Sequence, residues 1–284
     1  MIARHRGEYP LTLMCRVLAV SRSGFHAWTR RPPSPRAQRD AALRVPIAAT
    51  HRRSREAYGA RSHRKELADT AIHISRRRTR RLMREAGGVA VQPKRWQVTT
   101  PADPKRPVAP NRLARQFTVA RPTRVWAADL TYCWTQEGWR FLAVVLDLCS
   151  VRIVGWATSA SPDHEVALTA WRRAVTLRQP APGLLHHSDR GSTYACRAYR
   201  DALAAVGAVA SMSRTGDCWD NAVVESCFAT LKRDLVHRQT WPTRRSLTRA
   251  LVEYIDGWYN PERRHSHLGY VRPLTYEAQL RRAA

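Results

Sequence analysis

The sequence predicts an α/β fold with a mixed sheet, preceded by small helical units, and three observations carry that prediction. From residue 124 onward, segments rich in Val, Ile, Trp and Tyr alternate with segments of helical periodicity. Before residue 87 two stretches of helical periodicity flank a short proline-broken segment, and the stretch joining this region to the sheet holds six prolines. At 284 residues the chain is long enough to bury a full-sized core and to form about two domains.

Residues 9–30 (YPLTLMCRVLAVSRSGFHAWTR) read as two short helices around a turn. Leu13, Val17 and Leu18 are spaced for one apolar face, and Ser21 or Ser23 opens the second helix as its N-cap. The pair makes a helix-turn-helix-like segment over 1–35. Arg30–Asp40 (RRPPSPRAQRD) reads as a proline-broken linker. A second helical, HTH-like unit occupies 41–90: Tyr58-Gly59-Ala60 forms a turn, Leu67 lies on its second helix, and Ser75 caps a third, RRRTRRLMREA. There Arg76, Arg77, Arg78, Arg80 and Arg81 surround Leu82 and Met83. A solvated face is one reading of this run, but five arginines with no compensating acid beside them favour DNA contact. Residues 91–123 form a proline-rich basic linker, because no helix survives so many prolines.

The remaining residues, 124–284, carry the sheet. Arg124–Trp134, Trp139–Cys149 and Val151–Ser159 are separated by short turns and predict an antiparallel meander. A helix follows over His164–Arg178, then a short buried strand over Leu184–Ser188 and a helix over Thr193–Val206. A last strand is expected at Val209–Met212, and a helix at Asn221–Leu235 with Val224, Phe228 and Leu231 on its apolar face.

Charge divides the chain the same way. Of 49 Lys+Arg and 22 Asp+Glu, residues 1–124 hold 29 and 7. So concentrated a surplus calls for a polyanion, and nucleic acid is the commonest one. Only Lys65, Lys94, Lys105 and Lys232 are lysines; arginine is the better bidentate ligand for phosphate and guanine. The longest clean apolar stretch, Phe141–Leu146, is far too short to span a bilayer, and the N-terminus lacks the apolar run of a signal peptide. Cys15, Cys133, Cys149, Cys196, Cys218 and Cys227 include no C-x-x-C pair, so neither a zinc knuckle nor a disulfide scaffold is expected and a reducing compartment is the default.

Three acids stand where strands and helices meet. Asp129 interrupts an apolar strand, Asp189 follows a buried strand at its carboxyl edge, and Glu225 lies one helical turn after Asn221. Carboxylates brought together in a partly buried site repel one another, and such a cluster persists mainly when a cation neutralises it. Oxygen-only ligands favour Mg²⁺ or Mn²⁺. From residue types alone, three unrelated acids are the favoured reading over a metal cluster.

The motifs VWAADLTYCW, HHSDRGSTY, SMSRTGDCWDNAVVESCFATLKRDL and YNPERRHSHLGYVRP, in that order, closely resemble the transposases of the IS-three family of bacterial insertion sequences, and the resemblance covers nearly the whole chain. It implies an RNase H-like core of retroviral-integrase type with a basic C-terminal extension, and it makes Asp129, Asp189 and Glu225 the family's DDE triad. The 35 residues between Asp189 and Glu225 match the family interval. Also implied are two Mg²⁺ or Mn²⁺ ions, cleavage at the element ends, and attack on another strand by the freed 3′-hydroxyl without a covalent protein intermediate. The implied partners are double-stranded DNA of the terminal repeats and the target, further copies of the chain in a synaptic multimer, and the upstream-frame protein, all in a bacterial cytoplasm at the nucleoid. Lys232 resembles the position at which integrases hold terminal DNA, and Arg233 could share that role.

Around the triad, Asn221 either orients Glu225 or touches DNA, or equally caps the helix or packs. Asp220 is expected as the N-cap, His187 as a satisfied strand-edge histidine beside Ser188, and Asp147 as structural. Arg263, Arg264, His265 and His267 form a basic patch facing DNA or solvent. Thr193, Phe25-His26, Cys227 and Asp234 depart from the family pattern, and none belongs to the triad. A non-catalytic DNA-binding regulator or defunct copy is the competing function. A simple RNase H-like nuclease would not need the basic N-terminal half.

Overall fold

Val125–Thr135 (β1), Gly138–Asp147 (β2) and Ile153–Ser159 (β3) form the antiparallel meander that their β-branched and aromatic residues favour. These elements belong to a computed structural model that describes residues 1–88, 90, 109–214 and 218–283. The expected linker therefore lies largely outside the described residues. After the meander, His164–Arg178 (α6) opens on Asp163, whose carboxylate accepts the Val166 N–H at 3.3 Å. The helix carries the chain across the sheet, so that Leu185–Ser188 (β4) pairs parallel to β1. Ser192–Ala195 (α7) and Arg197–Ala204 (α8) make a second crossover to Val209–Met212 (β5), parallel to β4. The strand order is β3-β2-β1-β4-β5, a mixed sheet.

Each face of that sheet has its own core. Trp126 and Ala128 of β1 point to the layer of α6, α7 and α8, where Trp126 meets Trp171 edge to face with ring centroids 5.5 Å apart. The alternate residues Ala127 and Cys133 face Ala222–Asp234 (α9) and Arg244–Tyr254 (α10), packing with Val224, Leu231 and Leu251. A π-helical turn, Ile255–Tyr259, extends α10, and Pro273–Arg282 (α11) closes the chain. The buried Glu277 of α11 receives Ser150 Oγ at 2.7 Å, Arg152 at 3.0 Å and Arg178, and so ties α11 to the β2–β3 turn and α6.

The N-terminal part contains Leu11–Val17 (α1), Arg22–Arg30 (α2), Pro35–Arg53 (α3), Ala60–Ala68 (α4) and Arg76–Glu85 (α5). Ser21 and Ser75 cap α2 and α5 by accepting the N–H groups of Gly24 and Arg78. Ile47, Leu67, Leu82 and Met83 make the small core of the α3–α5 unit.

Four expectations need correction. The segment 35–40 is the first part of α3, not linker: Ser34 accepts the Ala37 N–H, and Pro35 at the first helical position needs no donor. Leu13, Val17 and Leu18 are exposed; Cys15 and Phe25 bury against Ile2 instead, because two short helices have room to cover only one side of each. The helix expected over 193–206 breaks at Cys196, whose extended backbone (φ −68°, ψ 154°) makes it the N-cap of α8. The arginine run on α5 does have a compensating acid: Asp40 of α3 accepts Arg78 at 2.7 Å and Arg81 at 2.5 Å.

The helical unit is locked to the core. Arg264 is buried, with its guanidinium on Glu66 and Asp69 of the α4 region. Arg53 at 2.8 Å and Arg272 at 3.0 Å add to Glu66. Burial opposes ionisation of Glu66, and these three guanidiniums outweigh it, holding the carboxyl below its ordinary value. Tyr58 Oη completes the seam by accepting the Arg264 N–H at 2.7 Å and donating to the Glu262 carbonyl at 3.1 Å. Among the described residues no helix is long and apolar enough to cross a membrane.

The sheet and α6 pack tightly at Gly155, where an added Cβ would lie 2.2 Å from the Ala170 carbonyl oxygen. A backbone atom cannot swing aside, so Gly155→Ala is expected to lower unfolding free energy by about 1–3 kcal/mol in a denaturant titration; an unchanged midpoint would contradict this packing.

Candidate active site

β1 and β4 run parallel with Ala128 opposite Ser188. Asp129 and Asp189 are therefore the next residues on adjacent paths at the carboxyl end of β4, where the loops of an α/β sheet leave room for ligands. Adjacent strands lie only about 4.8 Å apart. The third acid, Glu225, stands in the first turn of α9, where the helix dipole favours negative charge. All three are half-buried.

Each aspartate is held by the backbone beside it. Asp129 Oδ1 accepts the Leu130 N–H at 2.8 Å, and Asp189 Oδ1 accepts the Gly191 N–H at 2.9 Å. A Cβ on Gly191 would sit 2.9 Å from that same oxygen, so a larger residue there would make the Asp189 carboxylate shift. Burial drives the Asp129 carboxyl well above its ordinary range, repulsion from Asp189 and then Glu225 adds to the rise, and Leu130 N–H and Lys232 oppose it. Burial also raises Asp189 and Glu225. The sequence-predicted acids thus lie within one another's electrostatic reach. Among the described residues no three acidic, histidine or cysteine side chains are gathered tightly enough to form a finished metal cage. In donor chemistry the set suits a hard divalent cation: three carboxylates supply only oxygen, and their shared surplus of charge is met nearby by one lysine.

The start of α9 is fixed from two sides. Asn221, buried, donates from Nδ2 to the carbonyl of Ala128 at 3.3 Å, tying Glu225's helix to the strand position just before Asp129. Its Oδ1 is buried without a hydrogen-bond partner among the described residues. Asp220 does not cap α9 as expected. It is fully buried and accepts Arg214 at 2.9 Å, Arg115 at 2.9 Å and Asn111 at 2.8 Å; chiefly the Arg214 hydrogen bond holds it far below the usual carboxylate range. Asp220 therefore clamps the chain preceding β1 to the turn preceding α9. His187 behaves as expected of a satisfied histidine, between Ser211 Oγ at 2.9 Å and Ser213 Oγ at 3.2 Å. Burial pushes it down to about 4, so it is neutral at neutral pH. Ser188 Oγ donates to the Asp189 carbonyl, and Asp147 accepts backbone N–H groups of Thr123 and Cys149, a structural role.

Sequence reasoning passed over Tyr194. Its hydroxyl is buried, finds no hydrogen-bond partner among the described residues, and is raised by burial and by the neighbouring charges of Tyr199, Asp129 and Asp189. The only signal was its place five residues after Asp189, on the helix that follows.

The basic residues divide. Lys232 acts on Asp129, and its Nζ stands 5.0 Å from the centroid of the Tyr132 ring. Arg233 turns instead to the buried Asp234, at 2.7 Å. On α5, Arg76, Arg77 and Arg80 are exposed, whereas Arg78 and Arg81 serve Asp40. The expected C-terminal basic patch is not one: Arg263 pairs with Asp234 at 3.1 Å, Arg264 with Glu66, and His265 is driven well down by burial and the Arg263 charge. Acids distant in sequence neutralise both arginines.

An integrase core domain family matches residues 119–218, a second integrase core domain family residues 207–273, and an HTH-like domain family residues 37–96. The chain is 39% identical over 271 residues to the insertion element IS600 uncharacterized 31 kDa protein of Shigella sonnei, covering 95% of this chain and 100% of that protein. It is 33% identical over 278 residues to transposase InsF for insertion sequence IS3A of Escherichia coli K12, covering 97% and 96%. Among solved structures, the simian T-cell lymphotropic virus intasome in complex with PP2A regulatory subunit B56 gamma aligns with a TM-score of 0.47 at 15% identity, covering 62% of this chain and 60% of that one. The HTLV-2 integrase catalytic core domain in complex with magnesium aligns at 0.42 and 15%, covering 55% and 97%. The core has the RNase H-like, retroviral-integrase-type fold.

Because the folded Asp129 carboxyl titrates above its ordinary 3.8, the native state binds this proton more tightly than the unfolded chain does and loses stability as pH rises through that interval. Without divalent cations, Asp129→Asn is expected to melt at a higher temperature than the parent near pH 7. The gap should close as pH falls towards about 4; a lower melting temperature for the variant at pH 7 would contradict the assigned repulsion.

Proposed function

Since the chain belongs to the IS3 family of insertion-sequence transposases, we propose that it cleaves DNA at the ends of its element and joins the freed 3′-hydroxyl to another strand, using Asp129, Asp189 and Glu225. The family assignment makes it a transposase of polynucleotidyl-transferase type with an HTH-like domain for DNA. The single observation that carries the finer reading is the raised Asp129 carboxyl, pushed up by burial and by Asp189 and Glu225 together. Three carboxylates from three separate elements store mutual repulsion that a simple binding module has no use for.

In this reading Asp129, Asp189 and Glu225 hold Mg²⁺ or Mn²⁺, as two ions. Such ions, when bound, lower the pKa of an attacking water or hydroxyl and stabilise the leaving oxygen at the phosphodiester. The protein's own groups do the rest. Asp220 and Asn221 keep the α9 carboxylate in register with β1, and Gly191 N–H fixes one oxygen of Asp189 so that the other is free to ligate. Lys232, the cation beside the cluster, receives the phosphate next to the reacting one. Arg76, Arg77 and Arg80 supply phosphate contacts from α5, whose position Asp40 sets through Arg78 and Arg81. Arg233, held by Asp234, acts at most on the same backbone. The working form is a multimer that brings two ends together in the bacterial cytoplasm, with the upstream-frame protein as a proposed partner.

The test is a cleavage and strand-joining assay on a plasmid carrying the element ends, in Mg²⁺ or Mn²⁺, comparing the parent with Asp189→Asn. Joined product is expected from the parent and a loss of at least about a hundredfold from the variant, since removing one group aimed at developing charge costs about 10²–10³ in rate. DNA binding and its steep salt dependence should persist in the variant. Inactivity of both proteins, alone and fused to the upstream frame, together with intact end binding, would favour a non-catalytic regulator.

A further inference from the structure

β4 pairs with β1 only from Val125 to Ala128, so from Asp129 onward β1 has lost its neighbour on that side. Lys232 reaches the Tyr132 ring at this edge while also acting on Asp129. Beyond the edge, on the sheet face opposite the α9 layer, lie three aromatic side chains that the cores leave uncovered: Tyr132 is 36% exposed, Trp134 55% and Trp139 44%. Trp134 and Trp139 are direct cross-strand partners with ring centroids 4.8 Å apart, and Trp139 stands 5.0 Å from Tyr132, both edge to face. Arg244 bounds the far end, donating from Nε to the Trp139 carbonyl.

Cross-strand aromatic pairs stabilise a hairpin, and that role alone would explain two rings. It does not explain why three large rings remain in solvent between two cations, beside an acid cluster, in a chain of formal charge +27. Exposed aromatic patches of this kind are uncommon on monomers and mark binding surfaces. Aromatic faces alternating with cations match one ligand chemistry well: nucleobases stack on the rings while phosphates meet the cations, irrespective of sequence.

We propose that Tyr132, Trp134 and Trp139 form a stacking platform for unpaired bases of the DNA strand whose phosphate lies at the carboxylate cluster, the strand turning over the open edge of β1 past Lys232. The inference rests on the transposase reading for the presence of DNA and adds to it the state of that DNA: the end is frayed, and the protein holds its unpaired bases. Duplex affinity then comes from the arginines of α5, and discrimination for a frayed end comes from the hairpin.

The experiment uses the full chain without divalent cation, so that catalysis plays no part. Two forms of one terminal-repeat oligonucleotide, a blunt duplex and the same duplex with a three-base unpaired end carrying 2-aminopurine, are titrated against the parent, Trp134→Val, Trp139→Val and Trp134→Tyr. Valine keeps the strand propensity, and tyrosine keeps a ring. The parent is expected to quench 2-aminopurine and to bind the frayed form more tightly than the blunt one. Each valine variant should lose about fivefold or more of that preference, as expected for one base stack, with blunt-duplex affinity and melting temperature nearly unchanged and Trp134→Tyr close to the parent. Equal losses for both DNA forms, or quenching that survives both valine substitutions, would overturn the platform. So would a valine variant that turned a dimer into a monomer without altering preference for the frayed end, since the patch would then be a contact between copies. Absence of binding to either DNA form, by the chain alone and fused to the upstream frame, would refute the end-cleaving reading itself, whereas a chain that joins strands but shows no preference for the frayed end refutes only this inference.

Discussion

The parallel pairing of β1 with β4 is the constraint from which the site follows. With Ala128 opposite Ser188, two aspartates one residue further along must share a space that strand spacing makes too narrow for two free charges. The crossover through α6 exists to bring β4 to that place, and α9 adds a third carboxylate where electrostatics alone would keep it away. Folding energy from the two large cores holds the acids together. Their repulsion is not relieved inside the protein, since Lys232 offsets only part of it. Relief is left to what binds.

Other charges in the molecule are arranged in the opposite sense. Glu66, Asp40, Asp220 and Asp234 each pair with two or more guanidiniums, and those on the first three hold their carboxyls below the ordinary value. These hubs consume arginines that composition alone would assign to DNA: Arg78, Arg81, Arg115, Arg214, Arg263 and Arg264. The arginines not engaged by an acid are thus fewer than the arginine count suggests, while the net charge already subtracts those acids. The pairing also has a structural use, since Glu66 and Arg264 join the helical unit to the core.

The sheet was legible because its signal is local. Val, Ile, Trp and Tyr at alternating positions define β1, β2 and β3 within a residue or two, and His164–Arg178 is helical from composition and its Asp163 cap. The acids were legible for a different reason: Asp129 interrupts an apolar strand, and Asp189 and Glu225 lie in motifs of fixed spacing. What was not legible depends on partners far along the chain. Asp40 meets Arg81 across 41 residues, and Arg264 meets Glu66 across 198; no window of sequence contains both members. Ser34-Pro35 reads equally as a linker or a helix start until something packs on the helix. Two short helices such as α1 and α2 do not say which face they bury, so Leu13 and Val17 read as core and stand in solvent. Asp220 and Asn221 are adjacent and both suit a cap; only the positions of Arg115 and Arg214 decide which one is drawn away.

In the proposed function, a divalent cation discharges the repulsion among Asp129, Asp189 and Glu225. Calorimetric titration of the full chain with Mn²⁺ near pH 6, repeated in buffers of different ionisation enthalpy, measures both binding and the protons released by it. Binding with net proton release is expected, because carboxyls raised by burial, and Asp129 also by its neighbours, must ionise to ligate, and both signals should vanish in Asp129→Asn and in Glu225→Gln. Binding that releases no protons, or that survives either substitution unchanged, would contradict the claim.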